Sequence, residues 1–150
     1  MSVAARLEAA GLRLPAPPAP KGSYVPAVLA GGLVFTAGQL PVLDGALLTS
    51  GRVGAEVSEG TARTCARQAA LNALAAAAVV CSLDEVTAVV KLVGYVASAE
   101  RFQARPAVVD GASEVLLTAF GERGRHAREA VGVAALPLGA PVEVSLILAL

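Results

Sequence analysis

The sequence predicts an α+β fold: a sandwich in the order ββ-α-β-α-ββ, with one sheet carrying two helices on one face. Three observations predict it. Runs rich in β-branched residues stand near the start, the middle and the end of the chain; a glycine pair marks a hairpin; and two longer stretches with helical spacing separate the strands. No internal repeat interrupts this order. The length of 150 residues suits one domain, 1–150, in which residues 1–22 form an N-terminal helix and a proline-rich arm.

Residues 2 to 10 set Val3, Leu7 and Ala10 at helical spacing and stop at Gly11. The arm LPAPPAPKGSY has too few N–H donors for a helix or a central strand, so it runs along the surface and delivers Tyr24 to a fixed place. Val25 to Ala30 and Leu33 to Ala37 flank Gly31-Gly32, a two-residue hairpin signal. The stretch GQLPVLDGALLTSGRVGAE reads as loop. Ser58 or Thr61 caps a long helix running to about Cys81. Its polar residues (Arg63, Thr64, Arg67, Gln68, Asn72) stop halfway, so its second half is expected to be buried on most sides. Val86 to Ala97 is apolar on both alternating faces and needs cover on both. A second helix runs from about Pro106 and closes at Gly121 or Gly124. Two strands follow, about Glu129 to Ala135 and Val142 to Ala149.

Hydrophobic residues make up 55% of the chain and charged residues 16%, against about a quarter charged in an ordinary domain. The surplus apolar surface needs a membrane or a partner subunit. The longest wholly apolar run, Ala73 to Cys81, has nine residues, well short of the ~20 that span a bilayer. MSVAARLEAAGLRL lacks the apolar core of a signal peptide. The expectation is therefore a soluble, cytoplasmic homo-oligomer with no membrane partner. Twelve basic and twelve acidic residues balance to zero and aromatics are 3%, which argues against nucleic acid as a partner. Cys65 and Cys81, in one expected helix, would lie ~24 Å apart, beyond disulfide reach. No CxxC or Cys/His spacing suggests a metal, and free buried thiols suit a reducing compartment.

Candidate chemistry gathers near the C-terminus. Arg128 offers a permanently charged planar fork for a small organic acid, or else completes the basic run Arg123, Arg125, His126 that offsets a helix end. On the last strand Val142, Val144, Leu146 and Leu148 share one face, leaving Glu143 on the other. A half-buried carboxylate there, of raised pKa, would polarise a water; the alternative is a strand-end glutamate in solvent. His126 is the only imidazole, but no Ser or Cys nucleophile stands in a recognisable relation to it, and a loop role suits it better than catalysis. Lys91 is either a buried Schiff-base lysine or a salt-bridged one. The glycines complete no phosphate-binding pattern, so no nucleotide cofactor is implied. If the last two strands formed a tight hairpin, Arg128 would lie on the order of 20 Å from Glu143. For one small ligand to reach both, another strand must lie between theirs or the site must cross a subunit boundary.

YVPAVLAGGLVFTAGQLP, HAREAVGVAALP and PVEVSLILAL resemble the RidA/YjgF family of enamine/imine deaminases, in order and spacing from about Tyr24 to the C-terminus. The longer DGASEVLLTAFGERGRHAR segment is similar to a branch distinct from RidA itself. The resemblance implies a chorismate-mutase-like fold, a homotrimer with ligand clefts between subunits, and hydrolysis of 2-imino or 2-enamino acids such as 2-aminoacrylate to 2-keto acids and ammonia, without metal or organic cofactor. It assigns the carboxylate clamp to Arg128 and the water-holding glutamate to Glu143. Tyr24, Gly38 and Phe102 fall on pocket positions. Departures are Ala37 for a usual serine, Asp110 for asparagine, Ala130 for a common cysteine, and His126 for proline. Ala130 would contribute backbone beside Gly38, whereas Asp110 next to a carboxylate substrate would repel it unless protonated or turned away. Other readings are a non-enzymatic trimer binding small carboxylates or partner proteins, a ribonuclease, and, by fold analogy alone, a chorismate mutase.

Overall fold

The computed structural model describes residues 1–17, 19 and 22–150; Pro18, Pro20 and Lys21 of the proline-rich arm lie outside the described residues. In chain order the elements are α1 (Val3–Ala9), β1 (Ala27–Ala30), β2 (Leu33–Thr36), β3 (Val42–Leu43), β4 (Ala46–Leu47), α2 (Glu59–Ala77), β5 (Ala88–Ala97), α3 (Arg105–Phe120), β6 (Ala127–Val133) and β7 (Val142–Ala149). β1, β2, β7, β5 and β6 form one sheet in that order, and β3 pairs with β4 separately. The expected ββ-α-β-α-ββ sandwich is observed, with α1 and the small hairpin added.

Local chemistry accounts for each boundary. Ser2 caps α1, its Oγ accepting from the Ala5 N–H, and Asp84 Oδ1 accepts from the Val3 N–H at 2.7 Å. Gly31 and Gly32 have φ of 59° and 75°, the left-handed pair that a two-residue hairpin turn requires. The stretch expected to be loop holds the β3–β4 hairpin, turned by Asp44-Gly45 with φ of 52° and 83°; an Asp-Gly pair between short apolar runs is itself a hairpin signal. Ser58, not Thr61, is the N-cap of α2. Residues 69–77 of α2 are all buried, as the halt in polar residues predicts. The helix ends at Ala77 rather than near Cys81. Val79 and Val80 donate to carbonyls three residues back, a tightening that suits β-branched residues at a helix end. Cys81 therefore lies beyond the helix, and both cysteines are free thiols.

α2 and α3 cover one face of the sheet. Val34, Leu92, Val96, Val142, Val144, Leu146 and Leu148 are buried beneath them. The other face, which includes Val28, Phe35 and Val131, is exposed within one chain. Within one chain β5 is thus covered on one face, and the cover expected on the other is not supplied by the chain itself. β6 and β7 do not form a hairpin: β5 lies between them, parallel to β6 and antiparallel to β7. β6 begins two residues earlier than expected, so Arg128 sits inside an edge strand and not at its lip.

Candidate functional site

Glu143 occupies the exposed sheet face because β7 alternates strictly: Val142 and Val144 point to the helices and Glu143 pairs across to Tyr95. Beyond β2 the chain returns to β7 through Gln39, whose N–H donates to Val144 O at 2.8 Å while its carbonyl accepts from Val144 N at 2.9 Å. This lays Gly38 directly on the Glu143 side chain. A Cβ at Gly38 would overlap Glu143 Oε1 and Cδ, so a larger residue there would push the carboxyl group out of this position. Burial alone pushes the Glu143 carboxyl above its ordinary range, with no hydrogen bond or charge pulling the other way.

Glu143 and Gly38 line two adjoining hollows. One, of about 370 Å³, lies toward Tyr95 and Ser145. The other, of about 720 Å³, has Tyr24 and Gln39 near Glu143 and extends to Arg13 and Leu14 of the arm and to Leu138. Asn72, a buried polar residue within the apolar half of α2, shapes this wall: its Nδ2 donates to the carbonyls of Leu40 and Val42 at 2.8 and 2.9 Å.

Arg128 belongs to a second cluster on the opposite face. It pairs with Leu92 of β5, which is fully buried toward the helices, and directly paired residues point to the same face. Its Nη1 donates to Asp110 Oδ1 at 2.6 Å and to Ser113 Oγ at 3.2 Å, and its Nη2 reaches the Pro106 carbonyl at 3.4 Å. Asp110 therefore lies on the arginine itself. Because a carbonyl only accepts, the His126 Nδ1–H donates to Gly124 O at 2.6 Å. That leaves Nε2 facing Ser113 Oγ at 2.9 Å. The serine partner absent from the sequence reading is thus Ser113, three residues after Asp110 on the same helix face.

The predicted residues fall into two groups. Tyr24, Gly38 and Glu143 meet at the larger hollow, with Ala37 adjacent, its carbonyl accepting from Gln39 Nε2. Asp110, Arg128 and His126 meet against α3. Phe102 packs beside Gly54 and Ala130 pairs with Gly94, so neither joins a group within one chain. Through β5 the registers Leu92–Arg128 and Tyr95–Glu143 set Arg128 and Glu143 on the order of 14 Å apart at Cα, on opposite faces. Lys91 is salt-bridged to Glu129 at 2.7 Å. Arg13, Leu14, Leu138 and Ser113 were not singled out by the sequence; only the helical spacing of Ser113 from Asp110 carried a signal.

Among the described residues no group of three or more His, Cys, Asp or Glu could hold a metal ion, and no helix is long and apolar enough to cross a membrane. The family model described as "YjgF/chorismate mutase-like, putative endoribonuclease" matches residues 4–150. Protein TCP17 of Trypanosoma cruzi is 46% identical over 147 residues, covering 95% of this chain and 90% of that protein. A Shewanella oneidensis structure described as a "putative endoribonuclease" is 35% identical with a TM-score of 0.96, covering 100% of both chains. E. coli TdcF with bound serine is 26% identical with a TM-score of 0.61, covering 90% of this chain and 93% of TdcF.

Proposed function

The chain belongs to the YjgF/chorismate mutase-like family, and from that premise we propose that it is a hydrolytic deaminase of reactive 2-imino and 2-enamino acids, yielding 2-keto acids and ammonia. The observation that carries this reading is Glu143: a half-buried carboxyl of raised pKa, pressed on Gly38, at the meeting of two hollows. A base whose pKa is raised toward the working pH transfers protons efficiently. Glu143 takes a proton from water as the oxygen bonds to C2 of the imine. That proton goes to nitrogen, giving a carbinolamine; Glu143 then takes the proton of the C2 hydroxyl and delivers it to nitrogen as the C–N bond breaks, so that ammonia leaves as the ketone forms. An enamine such as 2-aminoacrylate enters as its imine tautomer. The imine is intrinsically labile, so orientation and a polarised water are most of what is needed, and the chemistry calls for no metal or organic cofactor.

The carboxylate clamp is Arg128 supplied by a second copy, because Arg128 and Glu143 leave opposite faces of the sheet of one chain. The proposed assembly is a homotrimer in which β6, an edge strand, borders the Glu143 hollow of the next subunit. The low charged fraction and the exposed sheet face support it. TdcF, a relative holding serine, supports small amino-acid-like carboxylates as ligands. A second reading, a non-enzymatic trimer that binds partner proteins, is favoured by one observation: Asp110 already neutralises Arg128. The endoribonuclease description of relatives gains nothing from the composition, since a chain of zero net charge has no overall positive excess to favour phosphate contacts. The test is keto-acid or ammonia release from 2-aminoacrylate above the uncatalysed rate. The proposal predicts release that falls at least about 100-fold in Glu143→Gln and is lost in Arg128→Ala. No release, or full activity in both variants, overturns it.

A further inference from the structure

The larger hollow exceeds what a three-carbon imine requires. Its volume of about 720 Å³ lies within the ~300–1,000 Å³ of sites that take drug-sized ligands. The space beyond Glu143 is walled by Leu14, Pro15, Leu40, Val42, Leu43 and Leu138.

Two independent features mark this wall as built. The first is the anchoring of the arm. Leu12 N–H returns to Leu7 O at 2.8 Å, Leu12 and Leu14 pack against the core, and α1 is itself tied down by Asp84 and by an Arg6 bond to Ala119 O. The second is backbone strain. Among the described residues, Asp44 and Leu138 are the non-glycine residues with positive φ, 52° and 59°, and both line this hollow. Asp44 precedes Gly45 in a tight turn, where aspartate is at ease. Leucine has no such compensation, yet Leu138 is 62% exposed. Backbone strain at the lip of a cavity points to a functional position, and Leu138 offers its apolar side chain to the hollow.

We infer that the site selects 2-imino acids, and the 2-keto acids they become, that carry a branched or extended apolar side chain. Leu14 and Leu138 are the specificity-determining contacts. The inference rests on the reading of Glu143 as the place of imine hydrolysis: C2 lies at Glu143 and Gly38, and the side chain runs along the arm toward Leu138.

The experiment uses the full chain with imines generated in situ by an amino-acid oxidase from leucine, methionine and alanine. It is paired with calorimetric binding of 4-methyl-2-oxopentanoate and pyruvate. The expected kcat/KM is at least about tenfold higher for the leucine- and methionine-derived imines than for the alanine-derived one. That ratio drops in Leu138→Gly, which also accepts the left-handed backbone without strain, and in Leu14→Ala. A ratio of one or below, unmoved in both variants, overturns the inference and leaves imine hydrolysis standing. If no imine is turned over, the hydrolase reading fails. The inference is then decided by binding: at least about tenfold tighter 4-methyl-2-oxopentanoate than pyruvate sustains it, and equal binding overturns it.

Discussion

At Glu143, burial favours the neutral carboxyl over the carboxylate, and that has a consequence for stability. Its folded pKa lies above the ordinary 4.5, so in the window between 4.5 and the raised value the folded chain holds a proton that the unfolded chain has lost. Stability falls as pH rises through that window and stays lower above it. Glu143→Gln is therefore expected to raise the Tm at pH 7.5 relative to the parent, with the difference vanishing at about pH 4; thermal melts across pH check this. Arg128 presents the opposite case, a charge already answered. One side of its fork is taken by Asp110 and Ser113, and Nη2 gives one N–H to the Pro106 carbonyl, leaving its other N–H for a ligand. Asp110→Asn removes the competing carboxylate and is expected to tighten 2-keto acid binding about three- to tenfold, measured by calorimetry. Of this chemistry, the alternation along the last strand made the place of Glu143 legible. The Asp110–Arg128 pair was not legible, because the two lie 18 residues apart on different elements, and no periodicity links a helix face to a strand edge.

At the scale of elements, α2 and α3 meet through small residues. Ala62, Ala66, Ala69 and Ala73 of α2 and Ala112 of α3 are fully buried, and a Cβ at Gly111 would overlap the Arg63 carbonyl of α2. Replacing Gly111 by alanine would gain up to about 1 kcal/mol of helix propensity, but the overlapped atom is backbone and cannot swing aside. Overpacking of about 1–3 kcal/mol wins, and Gly111→Ala is expected to lower the Tm by several degrees in a calorimetric melt. Elements with strong local signals were readable from the sequence: the Gly31-Gly32 hairpin, the start of α2 at a cap of Ser58 or Thr61, and the uniformly buried second half of α2. The β3–β4 hairpin was hidden because its strands are two residues long, too short to show alternation, although Asp44-Gly45 marked the turn. The insertion of β5 between β6 and β7 is a non-local pairing that the order of the strands leaves open.

For the molecule as a whole, the composition foretold an apolar surface in search of cover. One chain leaves the sheet face bearing Val28, Phe35 and Val131 exposed, and it separates the two groups of candidate residues by the thickness of the sheet. The proposed closed ring of identical copies would resolve both, since each interface would be the same heterologous contact repeated. The central claim, that Arg128 of one copy and Glu143 of the next build one site, is tested most directly by mixing two inactive chains. Arg128→Ala and Glu143→Gln, carrying different tags and co-expressed, form hybrid oligomers purified through both tags. In a ring of three, every such hybrid has about one interface in three that joins an intact Arg128 to an intact Glu143, so activity on 2-aminoacrylate near a third of the parent's is expected. Hybrids no more active than either variant alone would contradict the account.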